Sequence, residues 1–145
     1  MKACTCTLVC ILVSFSSSVT SAGVIFQWES PSSGNWNAPA AWSPDGVPGT
    51  SANDTARILA AGSPYTVTLN VNPGNALDEF ELDGKDSTFV ANGKTLTVDG
   101  PSLLTDAAVT WLGSTWTGSG TLTNNAAMTI LGSSTISTTG FAQNG

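Results

Sequence analysis

The sequence contains no histidine, and its three cysteines, Cys4, Cys6 and Cys10, all lie near the N-terminus. The rest of the chain therefore cannot build a serine–histidine or cysteine–histidine nucleophile system, and it has no histidine or thiolate ligands for zinc. It cannot form a disulfide either, so packing and backbone hydrogen bonds must hold it together. These absences predict a protein that is not an enzyme.

Positive charge is also scarce, because four lysine and arginine residues stand against ten acidic ones. Apart from Lys2, the basic residues are Arg57, Lys85 and Lys94. Three scattered cations cannot neutralise a row of phosphates or attract a surface of anionic lipid headgroups. We therefore expect no nucleic acid partner and no binding to anionic membranes.

Long apolar runs are missing too, since no segment approaches the roughly 20 apolar residues that a membrane-spanning helix needs. The short apolar run 8–15 follows Lys2 and precedes small residues that end at Ala22. This order of basic, apolar and small residues is typical of a secretory signal peptide. We expect residues 1–22 to be that signal, cleavage near Ala22, no membrane insertion in this chain, and a secreted or cell-surface location.

Alternation of apolar and polar residues dominates after Ala22, and helical spacing is absent. In 65–71 (YTVTLNV) every second residue is apolar, and in 78–83 (DEFELD) Phe80 and Leu82 alternate with acidic residues. Turn residues such as Asn92-Gly93 separate these segments from further short ones. The pattern predicts an all-β protein, built as a sandwich, a barrel or a solenoid.

An internal repeat favours the solenoid. Segment 108–114 (AVTWLGS) matches 127–133 (AMTILGS) at five of seven positions, and the two mismatches exchange one apolar residue for another. After one inserted residue, 115–117 (TWT) matches 135–137 (TIS). A period of roughly 20 residues, made of strand and glycine turn, is typical of stacked coils. We therefore predict parallel β-helix (β-solenoid) coils over 61–145.

Stacked coils should place like residues above one another, with the threonines between them facing solvent. The expected core ladder consists of Val109, Trp111, Met128 and Ile130. Segment 141–145 falls where 121–125 lies in the preceding unit, and no polar cap follows it. We therefore expect the chain to be truncated at its C-terminus, or its open C-terminal coil to pair with a partner, including a second copy.

Segment 23–60 differs from the coils, because it concentrates tryptophan among proline and glycine. We predict that it forms an irregular, Trp-rich N-terminal cap. Its three tryptophans, Trp28, Trp36 and Trp42, allow two interpretations. They form either a hydrophobic plug over the first coil or a carbohydrate-binding surface on which sugar rings stack.

Several motifs of this segment resemble a known family. They are Gly34-Asn35-Trp36, Trp42, the run 45–49 (DGVPG), and Asn53-Asp54 before an apolar strand. Together with the run 118–124 (GSGTLTN), they resemble the N-terminal region of bacterial exported proteins with autotransporter-associated β-strand repeats. The opening also resembles, less closely, the G8 extracellular domain. The first resemblance implies a secreted or cell-surface structural and adhesive β-helix protein, with no catalytic residues to transfer.

Two further groups of residues could bind ligands. The acidic run 78–86 is explained by the solvent face of a strand, although Asp83 and Asp86 offer oxygen ligands for a weak calcium site. Thr-x-Thr pairs recur and could be arrayed in a flat grid that binds ice or crystalline polysaccharide; they are Thr66/Thr68, Thr95/Thr97, Thr115/Thr117 and Thr121/Thr123. Threonine is also simply a good solvent-facing strand residue.

Two functional hypotheses remain from the sequence. The first is a secreted or cell-surface structural or adhesive β-solenoid protein without catalytic activity. The alternative is a carbohydrate-binding module, or the N-terminal part of a carbohydrate-active β-helix enzyme. Expected partners are extracellular polysaccharide or cell-surface components. We expect no cofactor, and the weak calcium site at Asp83 and Asp86 is the alternative.

Overall fold

The computed structural model describes residues 22–144. The expected signal peptide, except for Ala22, lies outside the described residues, as do the three cysteines. No helix within 22–144 is long and apolar enough to cross a membrane.

The described residues form short β-strands and a single 3-10 turn, Pro39–Ala41. In chain order the strands are β1 (Ile25–Trp28), β2 (Gly34–Asn35), β3 (Trp42–Ser43), β4 (Asp54–Ile58), β5 (Tyr65–Leu69), β6 (Leu77–Leu82), β7 (Ser87–Asn92), β8 (Thr95–Thr97), β9 (Ser102–Leu104), β10 (Ala108–Leu112), β11 (Thr115–Thr117), β12 (Thr121–Asn124), β13 (Ala127–Leu131), β14 (Thr135–Ser137) and β15 (Gly140–Gln143).

These strands belong to three sheets that the chain visits in turn. Sheet A has the order β15-β12-β9-β6-β4-β1-β3, sheet B has β13-β10-β7-β5-β2, and sheet C has β14-β11-β8. Every pairing is parallel except that of β1 with β3. The predicted all-β solenoid of parallel stacked coils is confirmed.

The register between coils follows the sequence repeat. Ala108 pairs with Ala127, and Thr115 pairs with Thr135, as the alignment of the two repeat units predicts. In sheet A, equivalent residues of successive coils pair with one another, and these residues are Ala56, Phe80, Ser102, Leu122 and Phe141. The number of residues between one member of this list and the next decreases at every step. The coils therefore become shorter toward the C-terminal end.

Inward and outward side chains alternate along each strand, as period-two geometry requires. In β5, Tyr65, Val67 and Leu69 are buried, while the threonines between them are half-buried on the outside. The expected ladder holds for Val109 and Trp111, which are each 1% exposed. Ile130 pairs with Trp111 as predicted, but it is 49% exposed, because no strand of the described residues lies beyond β13 in sheet B.

The parallel sheets reach into the Trp-rich segment 23–60. β1 and β4 both lie within it, and they pair in parallel with Phe26 beside Ala56. β3 then covers β1 from the other side in antiparallel pairing, with Trp42 beside Trp28. This segment thus supplies the first strands of sheet A and, through β2, the first strand of sheet B, and its remainder is irregular.

A continuous column of aromatic rings fills the interior, and we call it the aromatic column. It contains all five tryptophans and two phenylalanines: Trp28, Trp42, Trp36, Phe80, Phe89, Trp111 and Trp116. Ring centroids of neighbours are 5.0 to 6.2 Å apart, which is the range of favourable aromatic pairs. The column joins the N-terminal segment to the β9–β11 coil.

Buried polar groups lie mostly at corners between sheets. The Asn124 side chain is 0% exposed; its Nδ2 donates to the carbonyl oxygen of Ala126 at 3.2 Å and to Oε1 of Gln143 at 2.7 Å. Tyr65 donates its hydroxyl to the carbonyl oxygen of Ala60 at 2.8 Å, and its burial raises the pKa of the phenol. Such partners offset the cost of removing polar atoms from water.

The corner between sheets C and A requires glycine, because successive coils approach closely there. A Cβ added at Gly120 would lie 1.8 Å from the carbonyl oxygen of Gly100, and a Cβ at Gly100 would lie 1.8 Å from that of Asp78. A Cβ at Gly140, by contrast, would meet only Thr121 at 3.5 Å, an ordinary contact.

We therefore expect Gly120→Ala to lower the free energy of unfolding by roughly 1–3 kcal/mol, the usual cost of forcing an extra group into a packed site. Gly140→Ala is the matched control and should leave stability nearly unchanged. Thermal unfolding followed by circular dichroism measures both. Equal midpoints for the two variants would show that the coils do not approach at this corner.

Candidate functional site

The Trp-rich segment is held together by hydrogen bonds from its own indoles. Trp36 donates its indole N–H to the carbonyl oxygen of Pro48 at 3.1 Å, and Trp42 donates to the carbonyl oxygen of Trp36 at 2.9 Å. Trp28 donates to the carbonyl oxygen of Ser32 at 3.1 Å. Each ring therefore fixes a piece of irregular backbone while its faces pack in the core.

Asp54 is the second anchor of this segment. Its carboxylate is 0% exposed and accepts backbone N–H donors from Val24 at 3.1 Å, Gly49 at 3.0 Å and Ser51 at 3.1 Å. Hydrogen bonds to an ionised acceptor are stronger than neutral ones. One side chain thus connects β4 to the chain before β1 and to the loop that carries the Gly-Val-Pro-Gly motif.

The three tryptophans proposed as a carbohydrate site have no free ring face. Trp28 is 1% exposed, and Trp36 and Trp42 are 0% exposed. This placement corrects the carbohydrate-binding prediction for these residues, because a sugar ring needs an open aromatic face on which to stack. Their burial fits the alternative interpretation, in which the three tryptophans form a hydrophobic plug over the first coil.

Part of the acidic run lies on the outer face of β6 in sheet A. Glu79 and Glu81 alternate with the buried Phe80, and Arg57 on the neighbouring strand pairs with both carboxylates, at 3.4 Å and 3.2 Å. All three side chains are partly exposed, so these ion pairs add little stability. Because of these ion pairs, Arg57, which is the only basic residue within the described strands, is already paired on sheet A.

The predicted calcium ligands, Asp83 and Asp86, are both exposed and lie between β6 and β7. Asp86 is exposed and borders a groove of about 280 Å³ that Asp106, and not Asp83, also lines. Within residues 22–144, no three or more acidic, histidine or cysteine residues come together in a way that could hold a metal ion. The calcium site at Asp83 and Asp86 therefore stays a prediction.

Two shallow grooves lie on the outer face of sheet A near the N-terminal end. One, of about 440 Å³, is lined by Ile25, Gln27, Glu29 and Ser43. The other, of about 470 Å³, shares Ile25 and is lined by residues that include Thr55, Asp78 and Glu79. Both offer polar side chains, but no aromatic ring lines either groove.

Charge is distributed unequally among the three sheets. Among the described strands, every charged residue belongs to sheet A: Asp54, Arg57, Asp78, Glu79 and Glu81. The strands of sheets B and C carry none. Their outward residues are mainly threonine, alanine, valine and leucine, and we call the combined surface the neutral face. Lys94, half-buried, lies in the turn that joins the two sheets at β7 and β8.

The Thr-x-Thr pairs do not form one grid. Thr66/Thr68 lie on sheet B and Thr121/Thr123 on sheet A. Thr95/Thr97 and Thr115/Thr117 do stack in register on sheet C, and β14 extends them with Thr135 and Ser137. We call these six residues the threonine lattice. The first four are half-buried and the last two are exposed, so all six reach the surface.

Several residues of these surfaces were not singled out in the sequence. Ser137 does not belong to a Thr-x-Thr pair. Its alignment with Thr117 in the sequence repeat could have shown that it continues the same column of residues. Leu112 and Leu131 stack on the outside of sheet B and are 37% and 47% exposed. Their outward position follows from the alternation of side chains along each strand, once the inward residues are known.

No protein-family model matches this chain, and neither a curated protein nor a solved structure gives a match. The resemblance of its tryptophan and glycine motifs to autotransporter-associated repeat proteins and to the G8 domain therefore stays a prediction.

The structural role of the tryptophan plug can be tested directly. Trp36→Ala should lower the free energy of unfolding by roughly 3–5 kcal/mol, because it leaves a cavity among Trp42, Phe80 and Phe89. Ile25→Ala, at a residue that is 54% exposed, should change it by no more than about 0.5 kcal/mol. Denaturant unfolding measures both, and a stable Trp36→Ala protein would contradict the plug.

Proposed function

We propose that this chain is an exported structural or adhesive β-solenoid protein without catalytic activity, and that it attaches to uncharged surfaces through the neutral face. The observation that carries the proposal is the distribution of charge among the sheets. A chain of net charge −6 that keeps the charges of its strands on one sheet leaves the strands of the other two sheets uncharged, so an uncharged surface can contact these strands without desolvating a charged side chain within them.

The construction of the molecule supports a structural or surface-attached role. Parallel pairing between coils joins each described coil to the next, and the aromatic column links the N-terminal segment to the coils. Such a scaffold keeps outward side chains in fixed rows. Export is proposed from the basic, apolar and small residues of 1–22, and the extracellular setting would supply polysaccharide or cell-surface components as partners.

A carbohydrate-binding module, or the lead-in to a carbohydrate-active β-helix enzyme, is the second candidate. The groove lined by Gln27, Glu29 and Ser43 favours it, because amide, carboxylate and hydroxyl groups all bind sugar hydroxyls. Calorimetric titration with soluble oligosaccharides tests this candidate. Saturable binding that Gln27→Ala abolishes would support it over attachment through the neutral face.

The favoured function predicts how attachment responds to salt. The full chain is expressed in a bacterial host, and the exported protein is applied to uncharged polysaccharide beads and to anionic and cationic beads. Each is washed at low and high ionic strength. Retention should be strongest on the uncharged beads and should change little with salt, since screening acts only on charges. Retention on charged beads alone, lost at high salt, would contradict the proposal.

A further inference from the structure

The threonine lattice offers a more specific site within the neutral face. We propose that these six hydroxyl side chains on sheet C bind a neutral polysaccharide in an ordered, insoluble form. This inference rests on the proposed function and adds the residues that make the contact and the class of partner. Its failure would leave attachment through the rest of the neutral face intact.

The lattice is regular because the coils are in register. Thr95, Thr115 and Thr135 form one column, and Thr97, Thr117 and Ser137 form the other. Columns on a parallel sheet are about 6.6 Å apart along the strand, and rows are about 4.8 Å apart across it. The buried Leu96 and Trp116, with the partly buried Ile136, hold the three strands onto the core from behind. The hydroxyl groups are thus spaced by the backbone.

The chemistry of the lattice matches that of a polyol. Each hydroxyl can donate one hydrogen bond and accept two, which is also the capacity of a sugar hydroxyl. Each threonine adds a methyl group that can pack against the C–H surface of a sugar ring. No charged side chain lies in the three strands, and the chain as a whole is acidic, so an anionic polysaccharide would be repelled while a neutral one would not.

A folded protein partner fits this surface less well. Protein interfaces depend on a few large anchors, mainly tryptophan, tyrosine and arginine. Here all five tryptophans and the single tyrosine are buried, and the arginine on β4 is paired on sheet A. What the surface provides instead is many small, equal contacts, which suits a partner whose own groups repeat.

Small equal contacts also require an ordered partner. A single hydroxyl contact is weak, because it replaces hydrogen bonds to water. Several contacts made at once multiply their effects only when the partner holds its groups at fixed positions. An insoluble, ordered polysaccharide meets this condition, whereas a short soluble oligosaccharide of the same sugar must lose conformational freedom at each contact. We therefore expect soluble fragments to compete poorly.

The test compares two Thr-x-Thr pairs with the same sequence pattern on different sheets. The full chain is prepared as wild type, as Thr115→Lys/Thr117→Lys on sheet C, and as Thr121→Lys/Thr123→Lys on sheet A. Binding is measured by sedimentation with microcrystalline cellulose and with chitin, and circular dichroism melting verifies the fold. A third variant, Thr115→Val/Thr117→Val, keeps the β-branched shape and removes the hydroxyls, so it reports on binding if the lysine variant fails to fold.

We expect the sheet C lysine variant to bind at least tenfold more weakly and the valine variant several-fold more weakly, with the sheet A variant close to wild type. Equal binding by all folded variants would overturn the lattice but leave the proposed function standing. Absence of wild-type binding to both polysaccharides would overturn the lattice proposal. So would threonine-dependent inhibition of ice growth, or self-association through sheet C, in place of polysaccharide binding.

Discussion

Contact between aromatic rings along the axis is the interaction on which the rest of the structure depends. The chain has no disulfide available after Cys10, and each coil is too short to enclose its own apolar side chains. The aromatic column solves both problems, because Trp36 contacts Trp42 within the N-terminal segment and also Phe80 and Phe89 in the next coils. Irregular backbone and regular coils therefore share one core.

The outer surface follows from this core. The large rings fix which residues of each strand point inward. Because side chains alternate along a strand, the residues between them must point outward. Because the coils repeat in register, the outward residues form columns, and on sheet C similar residues in successive coils give these columns a uniform character. Sheet A acquires carboxylates and Arg57, while sheet C acquires threonine. The functional proposal depends on this segregation, and no single residue carries it.

Much of this arrangement could be predicted from the sequence. The features that could not be predicted are those that depend on which segments share a sheet. Matching 108–117 to 127–137 predicted the actual register of β10 with β13 and of β11 with β14. The match did not show that Thr121 and Thr123 belong to sheet A, because the sequence of a Thr-x-Thr pair does not depend on the sheet in which it lies. The role of Asp54 was also missed, since its three partners come from loops on either side of β1 and β3.

Register between coils is the central claim, and a cysteine pair tests it most directly. With Cys4, Cys6 and Cys10 replaced by alanine, Thr110→Cys/Thr129→Cys places two thiols side by side on neighbouring strands, within the about 4.4–6.8 Å that a disulfide spans between Cα atoms. Thr110→Cys/Ile130→Cys places them on opposite faces of sheet B. Mass spectrometry after oxidation should find the intramolecular disulfide only in the first protein. A disulfide only in the second would contradict the register and the surfaces derived from it.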